Sequence, residues 1–185
     1  MKKLSVLLAL SMAASGAVAK EPTALPMDES SMASVLAAPL SDRPGGFTGR
    51  EVFRLFNNKT KNHLSYHEMP NNWEDLGWRK EGTLGFVSTT YFADARPMYV
   101  CYMWSKDTNW DHKYFSTNDP GCEGQNQPNY FGYFEGYLAS TQLPGTVPLY
   151  RCYIELTKDH FDTLSSNCEG EGLAQFEKLL GYIFL

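Results

Sequence analysis

No Gly-x-Ser-x-Gly elbow, no His-Glu-x-x-His and no glycine-rich phosphate loop occurs in this chain of 185 residues. The common signatures of acyl transfer, zinc hydrolysis and nucleotide chemistry are therefore missing. No apolar run approaches the roughly 20 residues a membrane-spanning helix needs, so membrane insertion is not expected. Lys and Arg number 16 against 21 Asp and Glu, for a net charge of −5. Nucleic-acid binding runs on clustered cations that neutralise phosphates, and this balance argues against it. Cysteine is sparse: there are four, none in paired C-x-x-C spacing. Acids such as Asp111, Asp119 and Asp159 are present, but two carboxylates can be picked from almost any chain, so they do not establish glycoside hydrolysis. The chain is read as non-catalytic, with no cofactor.

Aromatic residues are absent from the first 46 positions, although 11 Phe, 11 Tyr and 4 Trp follow. That empty stretch divides in two. Met1-Lys2-Lys3, the apolar run Leu4 to Leu10 and Ala17-Val18-Ala19 have the three parts of a secretory signal peptide, with cleavage expected after Ala19. Residues 20–46, rich in Ala, Ser, Pro and Met and ending in Arg43-Pro44-Gly45-Gly46, read as a flexible leader. The expected folded domain is 47–185, in an exported protein, secreted or periplasmic.

Inside the domain one stretch recurs. Pro148-Leu149-Tyr150-Arg151-Cys152-Tyr153, leading to Asp159-His160-Phe161, has weaker copies at Val52-Phe53-Arg54-Leu55-Phe56 reaching Asn62-His63-Leu64, and at Pro97-Met98-Tyr99-Val100-Cys101-Tyr102 reaching Asp111-His112. Each copy later closes on a Gly-aromatic-aliphatic triplet at Gly85, Gly136 and Gly181. Repeats at about 51–96, 97–147 and 148–185 follow. The alternation Phe53/Leu55, Tyr99/Cys101 and Tyr150/Cys152 is the period of a half-buried strand. Three units, each with room for about four short strands, predict an all-β, β-trefoil-like closed fold with pseudo-threefold symmetry and short helical turns near 71–76 and 118–121. From Glu171 to Leu180 the local pattern is helical, but repeat register places a strand over 174–178, with Glu177 and Gly181 matching Glu81 and Gly85. Register is preferred.

Cys101 and Cys152 share a place in repeats two and three, and Cys122 and Cys168 each begin a Cys-Glu-Gly triplet. A duplicated pair is carried most simply inside each unit, which predicts Cys101–Cys122 and Cys152–Cys168. His63, His112 and His160 are read as equivalent, and three imidazoles around one axis can bind zinc. A turn in which the preceding Asn or Asp bonds its own backbone accounts for them as well, so no metal is assigned. His67 has no counterpart and is expected to be exposed.

Over 51–185 these residues, best at Phe53-Arg54-Leu55-Phe56-Asn57, Asp111-His112, Tyr114-Phe115-Ser116-Thr117 and Pro148-Leu149-Tyr150-Arg151, resemble an uncharacterised repeat of bacterial exported proteins. Its copies run approximately Pro-Leu-Tyr-Arg-Leu-Tyr-Asn-Pro-x-Thr-Gly-Asp-His-Phe-Tyr-Thr-Thr and later Tyr-Glu-Gly-x-x-Gly-Tyr-Val. The resemblance implies export and no particular activity. The lengthened turn of repeat two, Asn62 in place of Asp and the cysteine pairs depart from it.

A binding role is therefore expected, for cell-surface or matrix glycans, with an extracellular protein partner as the alternative. The expected contact surface is the long turn of repeat two, where Trp104 and Trp110 bracket polar residues: Trp104, Asn109, Trp110 and Asp111. Oligomeric state is not readable from these features.

Overall fold

A computed structural model describes residues 43–69, 71–104, 112–125, 132–170 and 172–185, with the backbone alone at Trp104 and His112. The proposed signal peptide and all of the leader before 43 lie outside the described residues. What is described is all-β, with nine strands in one sheet and no α-helix.

Each repeat contributes three strands: β1 (Gly49–Asn57), β2 (Asn62–Tyr66) and β3 (Trp78–Ser88); β4 (Ala95–Trp104), β5 (His112–Thr117) and β6 (Tyr133–Ala139); β7 (Thr146–Ile154), β8 (Asp159–Thr163) and β9 (Ala174–Phe184). The first strand of each unit lies between the other two, antiparallel to both. The room for four strands is thus filled by three, because the stretch between second and third strands is used by turns. Leu76 N bonds Asn72 O at 3.0 Å in repeat one, and 3-10 turns at Cys122–Gly124 and Cys168–Gly170 serve the others. Residues 174–184 form a strand, as the repeat register requires and the local helical pattern does not.

The hairpin turns are set locally. Asn57 Oδ1 accepts from Lys59 N at 2.9 Å and Thr60 N at 3.0 Å, the side-chain mimicry that makes Asn a turn former.

Three strands, β3, β6 and β9, meet one another through the single bridges Ser88↔Tyr137, Ala139↔Tyr182 and Phe86↔Phe184. Their glycines make the meeting possible. Gly85 has φ +143° and faces Phe184 O of β9, Gly181 faces Ala139 O of β6, and Gly136 (φ +154°) faces Ser88 O of β3, so each third strand lets the next approach where a Cβ would stand. Beside them the register shifts at Val52/Phe53, Met98/Tyr99 and Leu149/Tyr150 bend the strands, as bulges do. The third strands therefore touch at points instead of running alongside. The sheet is not closed, contrary to the closed fold expected.

The central core lies beneath this junction: Val52, Met98 and Leu149; Val87, Leu138 and Ile183; Leu84 and Leu180. Leu84 and Leu180 directly precede Gly85 and Gly181, and the residue preceding Gly136 is Glu135, also fully buried. One of nine related core places thus holds a carboxyl group.

Cys101–Cys122 and Cys152–Cys168 are bonded within their repeats, as the duplication predicts. Closing spans of 21 and 16 residues each contributes roughly 3 kcal/mol in the chain-entropy description.

Candidate functional site

The junctions between repeats two and three and between three and one are built alike. In the first, Thr117 Oγ1 donates to Glu123 Oε1 at 2.5 Å, and Glu123 receives Arg151 of the next repeat at 3.0 and 3.1 Å, while Arg151 Nε donates to Glu177 at 2.8 Å. In the second, Thr163 Oγ1 donates to Glu169 at 2.6 Å, and Glu169 receives Arg54 at 2.6 Å, while Arg54 Nε donates to Glu81 at 2.7 Å. The glutamates belong to the Cys-Glu-Gly turns at positive φ, whose kink turns each acid toward the following repeat. Two-pronged Arg–carboxylate contacts of this kind fix orientation as well as distance.

At the junction between repeats one and two every part of this clamp is replaced. The place of Thr117 and Thr163 is Tyr66, the place of Arg54 and Arg151 is Val100, and the place of Glu81 and Glu177, four residues before the junction glycine, is Gly132. A cavity of about 420 Å³ lies there. Four tyrosines line it, Tyr66, Tyr102, Tyr114 and Tyr133, with Leu64, Met69 and Val100 as the other apolar members and Glu68 and Asn71 as polar ones. Tyr102 is 44% exposed and Tyr133 51%. The rings are held in pairs: Tyr66 and Tyr133 have centroids 5.4 Å apart at 65°, Tyr102 and Tyr114 5.2 Å apart at 46°. The size and the mix of aromatic walls with a few polar groups are those of small-ligand pockets.

Behind Tyr66 and Tyr133 sits an unusual pair. His67 stacks on Tyr133 at 6.1 Å and its Nδ1 lies 2.9 Å from Oε1 of Glu135. His67 is therefore not exposed as expected; its side chain is 11% accessible. Burial pushes Glu135 up to about 8, against the pull of Arg50, whose guanidinium donates to the Glu135 carbonyl at 2.9 Å. Burial and Arg50 together hold His67 below the usual imidazole range. At neutral pH the pair is uncharged. Burial, the Tyr133 hydroxyl and the neighbouring carboxyls hold the Tyr66 phenol above its ordinary value, so it stays a neutral hydroxyl.

A second polar cluster runs between β2, β5 and β8. Asp159 accepts from His63 N at 3.1 Å and meets His63 Nδ1 at 2.6 Å, Lys113 donates to Asn62 Oδ1, and Ser116 donates to Asp162. Burial raises Asp162 although Ser116, Ser65 and Arg151 oppose it. Burial alone would lower His63, but Asp159 and Glu81 outweigh it and raise the ring.

These shifts give stability a pH profile. Burial opposes ionisation of Glu123, yet Arg151, Lys178 and Thr117 bring it down to about 2, and Glu81 and Glu177 are lowered by His63 and Arg54 and by His160 and Arg151. Those three contribute stability above the unfolded carboxylate value of 4.5 that is lost as pH falls, for Glu123 toward about 2. Glu135, Asp162 and His63 are raised, so their contribution is present below their unfolded values and is lost as pH rises, for Glu135 between 4.5 and about 8. The melting temperature should peak near about pH 5 and fall on both sides. Glu135→Leu, the residue of the other two repeats, should remove much of the alkaline fall. A melting temperature that instead rises to a plateau at pH 7–8 would contradict these assignments.

The structure rearranges the histidines. His63 pairs across the hairpin with Phe56 and His160 with Tyr153, but the matching Tyr102 pairs with Tyr114, and His112 pairs with Trp104. The three are therefore not equivalent, because the turn of repeat two is longer than counting to His112 suggests: Tyr102 and Tyr114 are 12 positions apart, against 7 for each of the other pairs. His63 faces Asp159 and Glu81, and His160 faces Glu177. No group of three metal-binding side chains occurs among the described residues.

Asn109, Trp110 and Asp111, and the side chain of Trp104, lie outside the described residues. The segment they occupy joins β4 and β5 just beyond the Tyr102–Tyr114 pair. The tyrosine cavity itself was missed. Its traces in the sequence are two gaps: repeat one has no Cys-Glu-Gly triplet, and repeat two has Val100 where the others carry Arg.

Residues 34–127 match the model of a family described as a domain of unknown function, DUF5648, a span that includes all of repeat one and much of repeat two. No curated protein matches the chain, and no solved structure does.

Proposed function

The chain belongs to the DUF5648 family, and from that premise we propose that it is an exported, non-catalytic binding module whose ligand enters the tyrosine-lined cavity between repeats one and two. A cell-surface or matrix glycan is the proposed ligand class. The observation that carries this reading is the place of the cavity. Four tyrosines gather at the junction where Tyr66, Val100 and Gly132 stand in place of an ion-pair clamp. Tyrosine faces stack on the C–H faces of sugars, while Glu68 and Asn71 can bond hydroxyls. Trp104, Asn109, Trp110 and Asp111 are proposed to extend the same surface through the β4–β5 turn. Two intrachain disulfides suit an oxidising compartment, and the proposed signal peptide accounts for how the chain reaches it.

A protein partner is the second reading, favoured by two exposed apolar side chains, Leu173 just before the last strand and Phe176 within it. The two separate on a glycan array probed with the wild-type chain and Tyr133→Ala. The expected result is a bound glycan whose affinity falls by on the order of 2 kcal/mol in the variant, with an unchanged melting temperature. An array without signal, together with a protein partner held through Phe176, would overturn the glycan reading.

A further inference from the structure

We propose that the cavity between repeats one and two is an aromatic cage for an alkylammonium group, an inference that rests on the binding reading above and narrows its ligand to a cation. A cation is attracted to the electron-rich face of an aromatic ring, most strongly when several rings converge and water is excluded. Here the two tyrosine pairs are inclined, Tyr66 to Tyr133 by 65° and Tyr102 to Tyr114 by 46°. Inclined rings bound a compact group from several sides, whereas a neutral sugar ring is met best by one flat platform. The rings are also held before any ligand arrives. His67 stacks on Tyr133, and Trp78 packs edgewise on Tyr114 at 6.0 Å, so little ordering is left to binding.

Charge points the same way. Among the described lining residues Glu68 is the acidic one and none is basic. Its side chain is 71% accessible, placed to meet a cation from solvent. Two described basic groups close by in the chain or the fold are engaged: Lys113, next to Tyr114 in sequence, sends Nζ to Asn62 Oδ1, and Arg50 donates to the Glu135 carbonyl. An anionic ligand would meet Glu68 with no cation among the described lining residues to offset it. At about 420 Å³ the cavity exceeds a trimethylammonium group, so the ligand carries the ammonium on a larger body. A choline-type headgroup and an amino sugar both fit that chemistry.

Calorimetric titration of the full chain with choline and glucosamine, beside their neutral counterparts 3,3-dimethylbutanol and glucose, tests the proposal. At least one ammonium compound should bind about tenfold or more tightly than its neutral counterpart. Tighter choline binding identifies a headgroup, and tighter glucosamine binding an amino sugar. Glu68→Gln should weaken the preferred compound several-fold and Tyr133→Leu should abolish its binding. Both side chains are at least half exposed, so both variants should melt as the wild type does. Equal affinity for charged and neutral compounds, or no binding of either ammonium compound, overturns the cage whatever a glycan array returns. Ammonium binding with an empty array overturns the glycan reading alone.

Discussion

Replacing Gly85 by alanine is expected to destabilise the domain by about 3 kcal/mol, lowering the melting temperature by roughly 10 °C. Two effects add. At φ +143° an L side chain is strained, and the new Cβ would stand 2.4 Å from Phe184 O, a backbone atom with no side-chain freedom to yield. Either β3 or β9 must move, and that displaces the Phe86↔Phe184 bridge on which the junction of third strands depends. Gly136→Ala meets Val87 Cγ2 at 2.5 Å and Ser88 O at 2.9 Å, so a comparable loss is expected there. Gly45→Ala, with nothing within 4 Å, serves as the control and should change stability by less than about 0.5 kcal/mol. Thermal melts of the three variants decide the matter; a Gly85→Ala protein as stable as the control would mean that the third strands do not meet as described.

The second large effect is expected at Arg54. Its side chain is fully buried, held by Glu81 and Glu169, each only 5% accessible, and by the carbonyl of Asp162 at 3.2 Å. Arg54→Ala leaves two buried carboxylates without their partner, a loss of about 3–5 kcal/mol. Arg151 is the internal comparison. Its partners Glu123 and Glu177 are 30% and 29% accessible, so water can take over part of its role, and Arg151→Ala should cost clearly less. Denaturant unfolding of both variants reads the difference directly. Equal losses below about 1 kcal/mol would show that the ion pairs are not what hold repeat three to repeat one.

Much of this architecture was legible because it is written three times. The alternation at Phe53/Leu55 and its copies located the first strands, the shared places of Cys101 and Cys152 and of the Cys-Glu-Gly triplets fixed the disulfides, and the match of Glu177 to Glu81 overruled a helical pattern in the last strand. What failed was the inference from a motif where lengths differ. The Asp-His pair at 111–112 imitates Asn62-His63 and Asp159-His160, yet pairing across the hairpin is counted from the strand, and Tyr114 takes the histidine place. The number of strands per unit was misread because a turn and a strand of similar length are not separated by period alone. The cavity escaped notice because it arises from residues that are missing from a pattern, Arg at 100 and Glu at 132, and such gaps become informative only when the ion pairs they interrupt are known. His67 and Glu135 gave no local signal: their meeting joins positions 68 residues apart.

The claim at the centre of this account is that binding is concentrated where the clamp between repeats gives way to tyrosines. Its most direct test is chemical footprinting of tyrosine side chains with and without saturating ligand, read by mass spectrometry, using Tyr91 as the reference because it is 68% exposed and packs on Tyr137, away from the cavity. The account predicts that ligand protects Tyr102 and Tyr133 and leaves Tyr91 as reactive as before. Protection of Tyr91 with Tyr102 and Tyr133 unchanged would contradict it.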